Sequence, residues 1–179
     1  MEKIETEFVG LYIIQHEVFT DERGLFIKTY NKSIYKKLGI ELEIKERYFS
    51  FSQKDVIRGM HFQTPPFDHL KLVTVIQGSI LDVVLDIRKE SKTYGQCFSI
   101  TLKAEEGKTM CIPKGFAHGF RSLENNTIVE YNQTTEYAPN NDTGIKYSSI
   151  SFNWGIKDPI ISERDNSLIF FEDYKTPFK

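Results

Sequence analysis

From residue 46 to residue 134 the chain is a succession of short β-branched and aromatic runs separated by turn residues. They are Glu46–Ser52, Val56–Phe62, Leu72–Ile76, Ile80–Ile87, Gln96–Leu102, Thr109–Ile112, Phe116–Ser122 and Thr127–Thr134. Gly10–Gln15 and Leu25–Tyr30 read the same way on either side of the turn Asp21-Glu22-Arg23-Gly24. These are many short strands at close, regular spacing with turns between. They predict an all-β sandwich or barrel, most simply a double-sheet jelly roll. With 14 Phe and 9 Tyr against one Trp, the aromatic content leans the same way.

Local signals fill in the connections. Gln77-Gly78-Ser79 between two apolar runs predicts a hairpin. In Ile80–Ile87, Leu81, Val83, Leu85 and Ile87 make an apolar face, and the other face carries Asp82 and Asp86. Asn31–Gly39 is the best helix: Asn31 or Ser33 caps it, Ile34 and Leu38 share a face, and Gly39 ends it. Ser148–Trp154 reads as a last strand, and Ser162–Ser167 as a short helix in a tail that could close the mouth of the roll. No repeat or Gly/Pro/Ser-rich linker divides the 179 residues, so one domain, 1–179, is expected.

Several functions are disfavoured. A net charge of −2 with no basic run leaves no nucleic-acid or lipid footprint. No apolar run is long enough to span a membrane, and the N-terminus lacks a hydrophobic signal core, so a cytoplasmic location is expected. Cys97 and Cys111 lack C-x-x-C spacing and read as two partly buried free thiols.

Chemistry concentrates in Arg58-Gly59-Met60-His61-Phe62-Gln63 and in Lys71 at the head of the next strand. Arg58 and His61 are three apart, so a regular strand would send them to opposite faces. Gly59 allows a bulge that brings both to one cavity. Lys71 opens an otherwise apolar strand, which aims its charge at a mouth or cavity. His118 lies between Ala117 and Gly119, where something approaches the backbone closely. Taken singly, each has a plain alternative: a packed histidine or tyrosine, a solvated Lys71 or Arg58, a turn or cap at Asp165. A metal-dependent cupin would have two histidines one residue apart and then a glutamate. Here Gln63 stands at the second histidine's place, and His61 with His118 makes a poor metal site. Proton abstraction beside a carbonyl needs a base, a cation for the enolate oxygen, an opposing acid and a carboxylate behind the base. The chain holds these types as His61, Lys71, Tyr131 and Asp165.

The chain resembles the dTDP-4-dehydrorhamnose 3,5-epimerases, cofactor-free cupin enzymes acting on deoxysugar nucleotides. The matching runs are Phe19–Gly24, Arg58–Gln63, Lys71-Leu72-Val73, Asp82–Arg88, Lys89-Glu90-Ser91, Ile112–Phe120, Tyr131 with Tyr137, and Ser162-Glu163-Arg164-Asp165. They run in family order from about residue 8 to 166 and are specific as a set. The resemblance implies a jelly-roll homodimer in which each subunit lends residues to its neighbour's site, with no metal and no organic cofactor. It implies His61 as base backed by Asp165, Tyr131 as the opposing acid, and Lys71 on the enolate. The substrate would be a nucleotide diphosphate 4-keto sugar, inverted at C3, C5 or both. Arg23, Lys28, Glu46, Tyr48, Arg58, His118, Tyr137, Asp142 and Arg164 are the implied substrate-binding set. Departures fall at Lys28, where the family has glutamate, and at Glu46-Arg47-Tyr48, where it has Gln-x-Asn. The resemblance assigns those positions to the thymidine. A 3,4-ketoisomerase and a non-catalytic sugar-nucleotide-binding module are the alternative readings.

Overall fold

The computed structural model describes all of residues 1–179. Two antiparallel sheets carry most of it. The first runs, in spatial order, β1 (Glu2–Glu5), β2 (Tyr12–Gln15), β10 (Lys108–Ile112), β7 (Lys71–Gln77), β12 (Thr127–Gln133) and β5 (Glu46–Ser52). The second runs β13 (Asp142–Gly144), β6 (Ile57–Gln63), β11 (Phe116–Ser122), β8 (Ser79–Asp86) and β9 (Cys97–Lys103). Val73, Val75, Met110 and Val129 of the first pack in one cluster with Ile80, Val84, Leu102, Phe116 and Phe120 of the second. The sheets therefore lie face to face, as a jelly roll requires.

Each outer face has its own cover. Helix α1 (Lys32–Lys37) buries Tyr35 against Tyr12, Ile14, Leu72 and Cys111. Asn31 caps it, its side chain accepting the Ile34 N–H at 3.1 Å. The C-terminal segment lays Ile150, Trp154 and Phe178 on Phe62, Val83, Leu85 and Ile87. Both faces of β8 are thus buried, its two acids included.

Several expectations need correction. Gln77-Gly78-Ser79 does not close a hairpin: β7 pairs with β10 and β12, while β8 pairs with β11 and β9. Gly78, at φ +76°, carries the chain from one sheet to the other. A tight glycine turn between two apolar runs reads the same locally whether the strands pair or separate. Ser148–Trp154 is not a strand. Tyr147–Ser149 is a 3-10 turn, and the chain beyond drops Ile150 and Trp154 into the outer core. The last strand is β13, just before it. The second predicted strand spans Gly24–Ile27 as β4, not Leu25–Tyr30, and pairs with an unpredicted β3 (Val18–Asp21) in a hairpin apart from both sheets. Strand β1 was also not foreseen. The tail covers the second sheet's outer face more than the mouth, and only α2 (Glu163–Asn166) reaches the cavity.

Candidate active site

Strand β6 provides the first side chains. Against β11, His61 pairs with His118 and Arg58 pairs with Phe120. Three steps on β6 thus match two on β11, which is a bulge at Gly59–Met60. The bulge turns Arg58 and His61 to the same cavity. Glycine is required there on two counts. Gly59 sits at φ +132°, and a Cβ on it would fall 2.5 Å from the Gly119 Cα. The close approach expected beside His118 is therefore this strand contact.

Asp165 holds His61. Ser162 caps α2 by accepting the Asp165 N–H at 3.1 Å, which aims the Asp165 carboxylate back at β6. One carboxylate oxygen lies 2.7 Å from His61 Nε2, and the other accepts the Gly59 N–H at 3.0 Å. Burial pushes the Asp165 carboxyl up, but the bond and charge of His61, the Gly59 N–H and Arg164 outweigh it and hold it below the usual range. The carboxylate accepts a hydrogen bond from Nε2–H, which leaves Nδ1 as the nitrogen free to exchange a proton.

Lys71, Tyr131 and His118 complete the interior. Lys71 is 6% exposed, makes no hydrogen bond within the chain, and is lowered to about 8 by burial, against the pull of Asp142 and Asp82. Tyr131 is pushed above the ordinary phenol range by burial, stays protonated, and meets Ser50 Oγ at 3.3 Å. Tyr48 stacks on it at 4.8 Å between centroids and 19° between planes. His118 Nε2 lies 2.7 Å from Asp82 Oδ1, and burial lowers its pKa.

These groups surround a cavity of about 330 Å³ between the two sheets. Of the expected residues, Glu46, Tyr48, Arg58, His61, Lys71, His118, Tyr131, Tyr137, Asp142 and Arg164 line it. Asp165 stands behind His61. Arg58 is anchored to β5 through Ser52 Oγ at 3.0 Å and the Phe51 carbonyl at 2.9 Å. Arg164 pairs with Asp142 at 2.5 Å. Glu46 keeps Oε2 buried without a donor. Arg23 and Lys28 are not brought there by their own chain: both are exposed on or beside the β3–β4 hairpin, and Arg23 pairs with Asp21. Sequence reasoning missed His69, Gln133, Ser50 and the role of Asp82 as partner of His118. His69 carried no local signal, since it stands in the loop before β7 and only the fold brings it to the cavity. No three His, Cys, Asp or Glu side chains cluster as metal ligands would. Both cysteines are free thiols; burial raises Cys97 to about 11 and Cys111 to about 12. No helix is long and apolar enough to cross a membrane.

A histidine with its second nitrogen free, a lysine of depressed pKa and a protonated tyrosine on one cavity suit proton transfer at a carbon beside a carbonyl. On a jelly roll this is the arrangement of a cupin-type isomerase. The chain belongs to the dTDP-4-dehydrorhamnose 3,5-epimerase family, whose sequence model matches residues 5–173. The Methanothermobacter thermautotrophicus enzyme of that name is 41% identical, over 92% of this chain and 91% of its own length. The Bacillus anthracis enzyme, solved with TDP and PPi bound, superposes with a TM-score of 0.91 at 35% identity, over 94% of this chain and 98% of its own. The Legionella pneumophila enzyme, solved with dTDP-4-keto-L-rhamnose, has a TM-score of 0.91 at 33% identity, over 97% of this chain and 94% of its own.

Proposed function

We propose that this isomerase inverts C3, C5 or both of a nucleotide-linked 4-keto sugar through an enolate. The observation that carries the reading is the Asp165-backed His61 opening on the same cavity as Lys71 and Tyr131. In it, His61 Nδ1 removes the proton beside the C4 carbonyl. Lys71 holds the oxygen as it gains charge, and Tyr131 returns a proton from the opposite face. Asp165 keeps the ring oriented and supports the imidazolium. Arg58, Arg164 and His118 take the diphosphate end, where guanidinium groups form forked, charged hydrogen bonds. Glu46, Tyr48, Tyr137 and Asp142 lie along the rest of the ligand.

The reading includes a homodimer and a cytoplasmic setting, with residues 1–179 as one domain. The homodimer is supported by the hairpin, which leaves Phe19, Leu25 and Phe26 more than half exposed, together with the exposed Phe49 and Phe51 on the edge strand β5. An exchanged hairpin would cover both patches and carry Arg23 and Lys28 into the neighbour's cavity. Lys28, Glu46 and Tyr48 leave the nucleobase open, so dTDP, CDP, GDP and UDP sugars all belong in the test.

Incubating the protein with these 4-keto sugars in heavy water tests the reading. The expected result is deuterium at C3 or C5 with inverted configuration. A product whose carbonyl has moved to C3 makes the enzyme a ketoisomerase. No exchange in any of the four series overturns the enzymatic reading and leaves a binding module.

A further inference from the structure

Ser50 lines the cavity and belongs to none of the roles above. It sits on β5, where Glu46, Tyr48 and Ser50 alternate onto the cavity side while Arg47, Phe49 and Phe51 are exposed. Strand β12 pairs with β5 so that Tyr131 stands opposite Tyr48 and Val129 opposite Ser50. The two opposed rings stack, and their hydroxyls go separate ways. The Tyr48 hydroxyl accepts from Gln133 Nε2. The Tyr131 hydroxyl reaches along the cross-strand diagonal to Ser50 Oγ at 3.3 Å. That contact is the one hydrogen bond either oxygen makes within the chain.

Each hydroxyl has a single proton to donate. A tyrosine that spends its proton on Ser50 has none for a carbon. Ser50 Oγ has no other acceptor within the chain, so its proton can turn to the Tyr131 oxygen. Once Tyr131 has given its proton away, a phenolate is left on a residue only 6% exposed. Burial opposes that charge and pushes the phenol up, while the Ser50 bond and the Arg58 charge act the other way. A separation of 3.3 Å is long for two neutral hydroxyls, and a charged acceptor shortens and strengthens such a bond. The contact therefore gains strength as the proton leaves, which lowers the barrier to that step.

We propose that Ser50 is a positioning residue for the acid, its Oγ–H donating to the Tyr131 oxygen so that the phenol proton faces the sugar and the phenolate left behind is held. This rests on the epimerase reading, in which Tyr131 is the acid. In that step the enolate electron pair forms the new C–H bond with the Tyr131 proton. The O–H pair stays on the phenolate oxygen, and Ser50 keeps its own proton.

The heavy-water assay on the full chain tests it, because the two faces of the carbon report separately. Deuterium in recovered substrate of unchanged configuration reports His61, and deuterium in inverted product reports Tyr131. Ser50→Ala should slow inverted product about 10- to 100-fold, the worth of one hydrogen bond to a charged group. Exchange into recovered substrate should hold its rate or rise, because the enolate then returns more often to His61. Ser50→Thr, which keeps a hydroxyl, should recover most of the inversion. Inversion by Ser50→Ala within about twofold of wild type, an equal fall in both rates, or a Ser50→Thr no better than Ser50→Ala overturns the proposal. If Ser50→Ala does not fold, Ser50→Cys, a weak donor of similar shape, is read for the same split by the same criteria. Tyr131→Phe separates the two levels. If it loses inversion while Ser50→Ala does not, Ser50 alone is wrong. If it inverts at the wild-type rate, the acid is misassigned and the proposal falls with it. No exchange by the wild-type enzyme on any substrate would sink both.

Discussion

Asp165 grips His61 Nε2 at 2.7 Å with one oxygen and the Gly59 N–H at 3.0 Å with the other. A single carboxylate thus fixes both the ring and the bulge that presents it. Asp165→Asn leaves the shape intact but offers an N–H to the ring or loses the charge behind it. The expected result is a kcat about 1,000-fold lower with KM changed little, because ring tautomer and imidazolium support act only in the proton-transfer step. Steady-state kinetics on a 4-keto sugar nucleotide, with His61→Ala as the reference for full loss, checks it.

If Lys71 holds the enolate oxygen, the rate should depend on pH. Its pKa is lowered to about 8, so the ammonium is present below that value and is lost as pH rises through it. The expected kcat/KM profile therefore falls above about pH 8. Lys71→Met should lower kcat about 100- to 1,000-fold and abolish that limb. The thermal midpoint should not drop, since the variant also removes a buried charge.

Gly59 is irreplaceable for a steric reason. An alanine methyl would meet the Gly119 Cα at 2.5 Å on a backbone at φ +132°. Gly59→Ala should cost more than about 2 kcal/mol, the range of backbone strain and overpacking in a core. Urea unfolding measures it, and a cost near zero would mean the bulge is not held against β11.

His16 ties stability to acid. It is buried, with Nε2 bound to Thr109 Oγ1 at 2.8 Å, Nδ1 unpaired and a pKa lowered to about 4 by burial. The folded chain refuses a proton that the unfolded chain takes below about pH 6.5. Stability is therefore whole above that pH and falls by up to about 1.4 kcal/mol per pH unit per such histidine on the way down to 4. Chemical denaturation across pH 4.5–7 should show the fall, and His16→Gln should flatten it by one proton's worth.

A hairpin exchanged between subunits would have its own signature. Arg23→Ala and His61→Ala should each be nearly inactive alone. After subunit exchange their mixture should regain about a quarter of wild-type activity, because half the dimers are hybrids and each hybrid has one intact site. A mixture that stays inactive would show that Arg23 serves no neighbouring cavity.

The residues differ in how openly they announced themselves. Strand runs such as Phe116–Ser122 were legible because alternation and bounding glycines are local properties of a few residues. Helix α1 was legible for the same reason, with Asn31 and Gly39 at its ends. Gly78 misled, because a glycine turn has one local form whether the next strand pairs with the last or crosses to another sheet. Asp142–Gly144 escaped notice as a strand since only its pairing with β6 makes it one. His69 is not legible as a site residue, because its place beside Gln63 and the cavity comes from the fold rather than from its neighbours in sequence.

By itself the sequence determined an all-β double sheet and the presence of the histidine, lysine, tyrosine and aspartate that proton transfer beside a carbonyl calls for. Those follow from period, turn chemistry and side-chain type, which act over short range. Tertiary structure alone decided that His61 and Asp165, 104 residues apart, would be hydrogen-bonded, and that a bulge set against Gly119 would turn Arg58 to the same side. It also decided that Arg23 and Lys28 would point away from their own cavity. Register and burial are set by which strands meet across the whole chain, and no local stretch contains that information.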